Sequence, residues 1–244
     1  MEDILIEARK AGFKVWGFSP HAPIILDSPC NMKLEQVHDY LTEIKRLRNL
    51  FPDIQILAGM EIDFLDKENG PASYQVKKYG LDYVIGSVHF IPNQKGEFID
   101  IDGSPERFQR FLNDYFGGDL IYVVKTFWQQ TQKMIVAGGF DIIGHIDKIA
   151  LNASYVDKGI EDTQVYRDLA DITIEMAIKT GQAIEINTKH YNRYGRFFPN
   201  PKYWSKIISS GIEMPVNSDT HYAELVDAGR FEAEMLLDKI KKAL

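Results

Sequence analysis

Short apolar stretches alternate with longer amphipathic stretches along most of the chain. The short stretches have the length of buried strands, and the longer ones repeat apolar residues every three or four positions, as helices do. In the segment 34–51, for example, Leu34, Val37, Leu41 and Ile44 fall on one face. The pattern predicts six strands, at 13–19, 54–62, 82–90, 140–146, 183–188 and 213–218.

Capping residues mark several of the predicted helix ends. Ser104 can cap a helix that has Pro105 at its first position and continues to about Phe116. Gly138 and Gly181 close two further helical patterns, which begin near residues 119 and 162. The remaining helices are predicted at 2–12, 34–51, 200–211 and 223–243.

This alternation of strands and helices predicts an α/β fold with a mostly parallel sheet or a barrel. The 244 residues would fill one α/β domain of barrel size or two small ones, and 45% of them are apolar, which is enough for a large core. No linker, low-complexity segment or repeat divides the chain, so we predict a single domain over residues 1–244. The first predicted element is a helix, whereas a fold of strand–helix repeats normally starts with a strand.

Charge and composition narrow the choice of partner and compartment. With 28 basic and 35 acidic residues the net charge is −7, which argues against broad nucleic-acid binding but allows a small phosphorylated substrate held by a few arginines. No apolar run has the length of a membrane span, and the amphipathic, acid-containing start is unlike a signal peptide. Cys30 is the only cysteine, which fits a reducing compartment. We therefore expect a cytoplasmic protein without nucleic-acid or membrane partners.

Polar side chains gather where the predicted strands end, the edge at which sites lie in parallel α/β folds. Four of the six histidines follow four different strands, each near Gly, Pro or Ser, and carboxylates share the same edge. The side chains are His21, Glu61, Asp63, His89, His145, Glu185, Asp219 and His221. If the last strand continues, Asp219 and His221 point to the same side, because side chains two apart on a strand do so.

Each of these residues also has an ordinary structural explanation. A single histidine at a strand end is often hydrogen-bonded, Glu61 could pair with a lysine, and Asp219 could cap the next helix. Four histidines and at least two carboxylates at one rim instead favour a metal site, and their mixture without thiolates suits Zn²⁺, Mn²⁺ or Fe. Carboxylates also permit bridging of two metals. Outside this set, His38 is predicted to be a solvated helix residue and His190 lies in a loop.

Five motifs resemble those of the PHP (polymerase and histidinol phosphatase) superfamily. They are GFSPHAP, GMEIDF, GSVHFI, GHIDK and NSDTH, and they extend over nearly the whole chain. GSVHFI followed by EINT is most similar to the histidinol-phosphate phosphatase branch. The resemblance implies a distorted (β/α)7 TIM-like barrel with up to three divalent metals. It also implies a phosphomonoesterase of histidine biosynthesis that acts on L-histidinol phosphate.

The resemblance assigns metal ligands residue by residue. The six implied ligands are His21, Glu61, His89, His145, Asp219 and His221. One metal would be held by Glu61, His89 and His145. A second metal would be held in part by His21 and His221. Asp219 would serve the third metal, which shares Glu61 as a bridge.

The chain departs from the family pattern at its start. The family opens with a strand that carries His-x-His, followed soon after by another histidine, and none of these is in the sequence. Residues 1–13 align instead with the helix that comes next. We therefore expect the first barrel strand to be missing, with only the Glu61–His89–His145 set complete in protein ligands. This loss predicts weak or absent phosphatase activity for residues 1–244.

Further roles follow from the phosphatase hypothesis. A metal-bridging hydroxide would attack phosphorus. Arg193 and Arg196, on the loop after the strand at 183–188, could hold phosphoryl oxygens or could be ordinary surface residues. Asp147 or a metal-bound water could protonate the leaving alkoxide, and Tyr191 and Tyr194 could contact an imidazole.

Two alternatives remain open at this point. The chain could be another PHP phosphoesterase, either a phosphotyrosine phosphatase or a nuclease, although the acidic charge disfavours a nuclease. It could also be an inactive binding or regulatory protein that has lost the first strand. An unpaired sheet edge could in either case promote a homodimer.

Overall fold

The sheet contains six parallel strand positions, in the places that the hydrophobic pattern predicts. The structure is a computed structural model and describes residues 1–244. Its strands are β1 (Val15–Phe18), β2 (Gln55–Asp63), β3 (Tyr83–Ser87), β4 (Phe90–Pro92), β5 (Phe98–Asp100), β6 (Ile142–Ile143), β7 (Ala183–Ile184), β8 (Ile186–Asn187) and β9 (Val216–Asn217). β4 and β5 form a separate antiparallel hairpin.

The parallel strands form one curled sheet that is open on one side. β1, β2, β3, β6 and β7 pair in this order, and β8, which follows β7 after Glu185, pairs with β9. The right-handed twist of parallel strands curls this sheet into a half-barrel. No strand pairs with the outer edge of β1 or β9, and a cleft of about 1010 Å³ lies between them. The predicted α/β, TIM-like fold is confirmed in this open form.

Helices connect the strands and cover the sheet. The α-helices are α1 (Glu2–Lys10), α2 (Gln36–Leu50), α3 (Tyr74–Lys78), α4 (Pro105–Phe116), α5 (Leu120–Ala137), α6 (Ile149–Val156), α7 (Gln164–Thr180), α8 (Tyr191–Tyr194), α9 (Trp204–Ser209) and α10 (Arg230–Ala243). Ser104 caps α4 as predicted, since its hydroxyl accepts a hydrogen bond from the Arg107 amide. No helix is both long and apolar enough to cross a bilayer.

Several elements differ from the predicted ones in length or kind. The predicted strand at 82–90 ends at Ser87, and its last residue begins the β4–β5 hairpin. The Asn93 side chain stabilises the hairpin turn by accepting hydrogen bonds from the Lys95 and Glu97 amides. The strands predicted at 140–146 and 213–218 are reduced to two paired residues each. The residues that follow β6 and β9 thereby leave the sheet and become available to a site.

Two groups of apolar side chains hold the layers together. Leu5 of α1 and Ile44 and Leu47 of α2 pack with the β2 side chains, and all are essentially buried. A larger cluster joins β3, β6 and β7 to α4–α7, with Trp128 and Tyr166 at its centre. Burial of such side chains is the main stabilising contribution to the fold.

Tyr83 forms the floor of the cleft. Its ring lies across the inner face of β1 and β2, where a Cβ atom at Gly17 or Gly59 would collide with it. Glycine at these two positions therefore allows one large side chain to fill the lower half-barrel. The space above Tyr83, at the carboxyl ends of the strands, is left for polar residues.

Candidate metal centre

Glu61, His89 and His145 bring three ligand atoms together at the carboxyl ends of the central strands. Glu61 lies on β2, His89 follows β3 and His145 follows β6. Nε2 of His145 lies 2.9 Å from Oε1 of Glu61, and Nε2 of His89 lies 3.5 Å from the same oxygen. The two imidazole nitrogens are 3.2 Å apart, and all three side chains are buried. We refer to these residues as the central triad.

Asp63 fixes the orientation of the His89 ring. Asp63 lies two residues after Glu61 on β2, so both side chains point to the same face. Its Oδ1 atom lies 2.7 Å from Nδ1 of His89, and its Oδ2 atom accepts a 3.1 Å hydrogen bond from the Asn31 side chain. In the neutral ring, a carboxylate in this position holds the proton on Nδ1, so that Nε2 is the atom able to bind a metal among the triad residues.

Glu185 holds the backbone of His145 rather than its ring. Oε2 of Glu185 accepts a 2.8 Å hydrogen bond from the His145 amide, and Oε1 accepts one of 2.9 Å from the Asn217 side chain. Burial, helped by the charges of Asp219 and Glu61, raises the pKa of Glu185 to about 7. The residue therefore acts as a scaffold between β6, β8 and β9.

His21 faces the second oxygen of Glu61. The loop after β1 continues to pair with β2 through hydrogen bonds from the Ala22 amide to the Glu61 carbonyl and from the Glu61 amide to the Pro20 carbonyl. This pairing places Nδ1 of His21 3.6 Å from Oε2 of Glu61. Glu61 thus has histidine nitrogens near both oxygens, the arrangement needed for a bridging carboxylate.

Asp219 and His221 line the same cleft but do not project from one strand. β9 ends at Asn217, and Asp219 has a left-handed backbone with φ of 48°, so the expected strand alternation does not reach either residue. Asp219 is 15% exposed and is held by the Asn187 and Lys189 side chains. The His221 side chain is 53% exposed on the rim. The strand therefore does not continue as expected, but the turn still brings Nδ1 of His221 to 3.8 Å from Oδ1 of Asp219.

The charges around the triad shift the pKa values of its three residues in different directions. Burial alone would raise the pKa of Glu61, but His21, His89 and His145 hold it well below its ordinary value. Burial, together with the nearby Lys148 ammonium, lowers the pKa of His145 to about 4. Burial opposes the protonation of His89, yet Asp63 raises its pKa to about 9. A metal at the triad would meet an anionic carboxylate and a neutral His145, and would compete with a proton at His89.

The donor set of the triad fits a divalent metal. Two imidazole nitrogens and one carboxylate oxygen face one another at distances of 2.9 to 3.5 Å. Nitrogen and oxygen donors without thiolate are the ligands of catalytic Zn²⁺ and of Mn²⁺ or Fe²⁺. A second possible group is His21, Asp63 and His89. Because Asp63 already occupies Nδ1 of His89, we assign Asp63 as the partner of His89 rather than as a ligand.

The profile of the PHP domain family matches residues 1–189, a span that includes His21, Asp63 and the whole triad. The chain belongs to the PHP domain family. The resemblance inferred from the five motifs is confirmed.

Individual proteins are similar to this chain over more than the residues 1–189 that the family profile matches. The probable histidinol-phosphatase of Schizosaccharomyces pombe is 26% identical, and the alignment covers 98% of this chain and 80% of that protein. The probable histidinol-phosphatase of Deinococcus radiodurans is 27% identical, with 88% and 77% covered.

Two solved structures share the fold of this PHP domain. The hisK protein of Listeria monocytogenes superposes with a TM-score of 0.82 at 18% identity, over 95% of this chain and 92% of that one. The histidinol phosphate phosphatase of Lactococcus lactis gives a TM-score of 0.68 at 20% identity, over 98% and 86%. The Lactococcus structure is a complex with Zn, L-histidinol and phosphate.

The PHP domain does not bring Arg193, Arg196 or Asp147 to the cleft. Arg193 is exposed, and its guanidinium lies 5.0 Å from the centre of the Tyr194 ring. Arg196 forms a two-bond ion pair with Glu161, with distances of 2.8 and 2.9 Å. Arg196 uses two of its five N–H donors in this structural ion pair, and its expected phosphate contact stays a prediction from the sequence.

Asp147 has a structural position as well. It is fully buried, and its Oδ2 atom accepts a 2.8 Å hydrogen bond from the Asn200 amide. Burial raises its pKa to about 6, which would suit a proton donor, but the residue does not line the cleft. The expectation that Asp147 protonates the leaving group finds no support in this placement.

Two charged neighbours of the triad, Lys148 and Asp102, were not predicted from the sequence. Nζ of Lys148 lies 3.3 Å from Nε2 of His89 and 2.9 Å from Oδ2 of Asp102. Lys148 belongs to the GHIDK motif, so its nearness to His145 in sequence was a usable signal. Asp102 follows the β4–β5 hairpin, and without that hairpin the sequence could not place it.

We expect Asp63→Asn to lower the affinity of the triad for Zn²⁺ by about 10- to 100-fold, since removing an outer-shell partner of a metal-binding histidine typically costs this much. The amide cannot fix the His89 proton on Nδ1 as the carboxylate does. Competition with a chromogenic chelator would measure the change. Asp66→Asn, in the exposed loop after β2, is the matched control, and equal affinities for the two variants would contradict the assignment of Asp63.

Proposed function

We propose that this PHP domain is a metal-dependent phosphomonoesterase and that its substrate is L-histidinol phosphate. The observation that carries the proposal is the buried central triad at the base of an open cleft. The names of the two curated relatives, and the zinc, histidinol and phosphate in the Lactococcus structure, support the choice of substrate. The negative charge of a phosphate ester suits a site that holds a divalent cation.

Some residues of the site would bind the metal, and others would orient the metal ligands. Glu61, His89 and His145 would hold a divalent metal, and Asp63 and Glu185 would orient two of these ligands. When bound, a divalent metal lowers the pKa of a water ligand and neutralises phosphoryl oxygens. The floor formed by Tyr83 would limit access of water from below.

We propose further metal positions along the cleft wall. His21 and the second oxygen of Glu61 offer one, and Asp219 with His221 extends the set toward the rim. Zinc is supported by the Lactococcus structure, whereas Mn²⁺ and Fe²⁺ fit the same donor types. A count of three metals, a homodimer and a cytoplasmic location stay predictions from the sequence.

The test is hydrolysis by the protein loaded with Zn²⁺ or Mn²⁺. We expect release of inorganic phosphate from L-histidinol phosphate, with a kcat/KM at least about 10-fold above that for a generic aryl phosphate, because a fitted site gains binding energy from the rest of the substrate. Phosphotyrosine and single-stranded DNA serve as competing substrates. Equal or faster hydrolysis of either would favour another PHP phosphoesterase. A metal-loaded protein that cleaves none of them would contradict the proposal.

A further inference from the structure

Lys148 is a largely buried cation beside the central triad. Its backbone amide donates a 2.8 Å hydrogen bond to the His145 carbonyl, and this turn leads the chain from the triad into α6. The turn directs the side chain back toward the triad, where Nζ lies 3.3 Å from Nε2 of His89. Only 11% of the side chain is exposed.

Asp102 holds this ammonium group in place. Its Oδ2 atom lies 2.9 Å from Nζ of Lys148, and the Arg107 side chain in turn donates a 2.6 Å hydrogen bond to the Asp102 carbonyl. The 2.9 Å ion pair with Asp102 compensates the burial of the ammonium group, so Lys148 keeps its ordinary positive charge in the folded protein.

A charged lysine in this position opposes metal binding. Like charges a few ångströms apart repel, and burial weakens the screening by water. Asp102 offsets part of this cost, but it satisfies only one of the three N–H donors of the ammonium group. The 3.3 Å contact is to Nε2 of His89, the same atom that a metal would take. With the triad loaded, at least one donor of Lys148 would thus be free and directed at the metal-binding position.

We propose that Lys148 binds the phosphoryl group of the substrate and the inorganic phosphate product, with Asp102 as its positioning residue. The inference rests on the proposed phosphatase function and adds the residue that recognises the anion. A lysine ammonium donates charge-assisted hydrogen bonds to phosphoryl oxygens. Lys148 and Asp102 lie beside His89, next to the main cleft rather than along its wall. Lys148 is therefore nearer to the triad than Arg193 and Arg196, from which the sequence predicts phosphate contacts.

A purely structural ion pair between Lys148 and Asp102 is the competing explanation. In that case the loss of the lysine would lower stability but would leave phosphate affinity unchanged in the protein that remains folded. The two explanations therefore differ in a binding constant rather than in overall activity.

The experiment compares Lys148→Met with Lys206→Met in zinc-loaded protein. Lys206 pairs with Glu175 on the surface, far from the triad, and is a matched control. For Lys148→Met we expect the inhibition constant of inorganic phosphate and the KM for histidinol phosphate to rise by about 10- to 100-fold. Zinc content, measured by elemental analysis, should stay equal or increase. Lys148→Arg should recover part of the phosphate affinity, and Lys206→Met should match the wild type.

The inference would be overturned if Lys148→Met had the same inhibition constant for inorganic phosphate and the same KM for histidinol phosphate as the wild type. If the wild type cleaves no phosphate ester, the proposed function fails. Lys148 is then tested by calorimetry, which compares the dissociation constants of phosphate for zinc-loaded wild type and Lys148→Met, and the same difference of about 10- to 100-fold is expected. Should Lys148→Met not fold, wild-type protein labelled with ¹⁵N-lysine replaces it. Addition of phosphate should then shift the Lys148 Nζ resonance, and a resonance that does not move would overturn the inference.

Discussion

Glu61→Gln should lower the zinc affinity of the protein by at least about 100-fold and reduce phosphatase kcat/KM by about 1,000-fold or more. Glu61 offers one oxygen to the central triad and the other to His21, so the loss of its charge weakens two positions at once. The substitution keeps the shape of the side chain, which limits effects on folding. Elemental analysis and initial rates at saturating metal would measure both changes.

Glu185→Gln is the matched control for this prediction. Glu185 is equally buried, but it bonds to the His145 backbone amide and to Asn217 instead of facing the triad. Its pKa of about 7 means that a neutral isostere removes less charge at or below neutral pH than the same change at Glu61. Equal zinc contents in the two variants would show that Glu61 is not the bridging ligand.

Arg196→Met is expected to destabilise the fold by about 2 kcal/mol and to leave the KM for phosphate esters unchanged. Breaking a fully buried ion pair by removing one partner costs about 3–5 kcal/mol, and the 16% exposure of both side chains reduces this figure. Glu161 would keep the Ser154 hydroxyl as a partner, which limits the loss further. Thermal melting should show a decrease of about 5 °C in Tm.

Arg193→Met is the matched variant for Arg196. Arg193 lies three residues earlier, in α8, but is exposed and makes no ion pair, so its replacement should change the free energy of unfolding by less than about 0.5 kcal/mol. A normal Tm with a raised KM for Arg196→Met would instead restore the phosphate role expected from the sequence.

The sequence predicted the order of the parallel strands well because their apolar runs are separated by long amphipathic helices. It could not predict their lengths. β6 and β9 are only two residues long. After β6 the His145 amide donates a hydrogen bond to the Glu185 side chain instead of to a strand, and after β9 the chain enters a left-handed turn at Asp219. Such side-chain contacts depend on the tertiary structure and leave no periodic signal.

The candidate site shows the same division. Glu61, His89 and His145 were predictable, because each follows an apolar run and parallel strands end at one edge. The separation of Arg196 from the cleft was not, because it depends on Glu161, which lies 35 residues away in the chain. The position of a residue at a strand end can be read from the local sequence. Whether an arginine pairs with a carboxylate of the protein or with a phosphate depends on the folded structure.

The open side of the half-barrel has a mechanical consequence for these ligands. A curled sheet with two free edges resembles a split ring, which is stiffest opposite the gap and most compliant at its ends. The triad residues are carried by the three central strands, β2, β3 and β6, whereas His21 and Asp219 follow the two edge strands. Thermal motion should therefore change the geometry around His21 and Asp219 far more than the geometry of the triad. A metal at the triad would therefore meet a rigid and selective set of ligands. Ligands at His21 and Asp219 would adapt their spacing to the ion or anion that binds there.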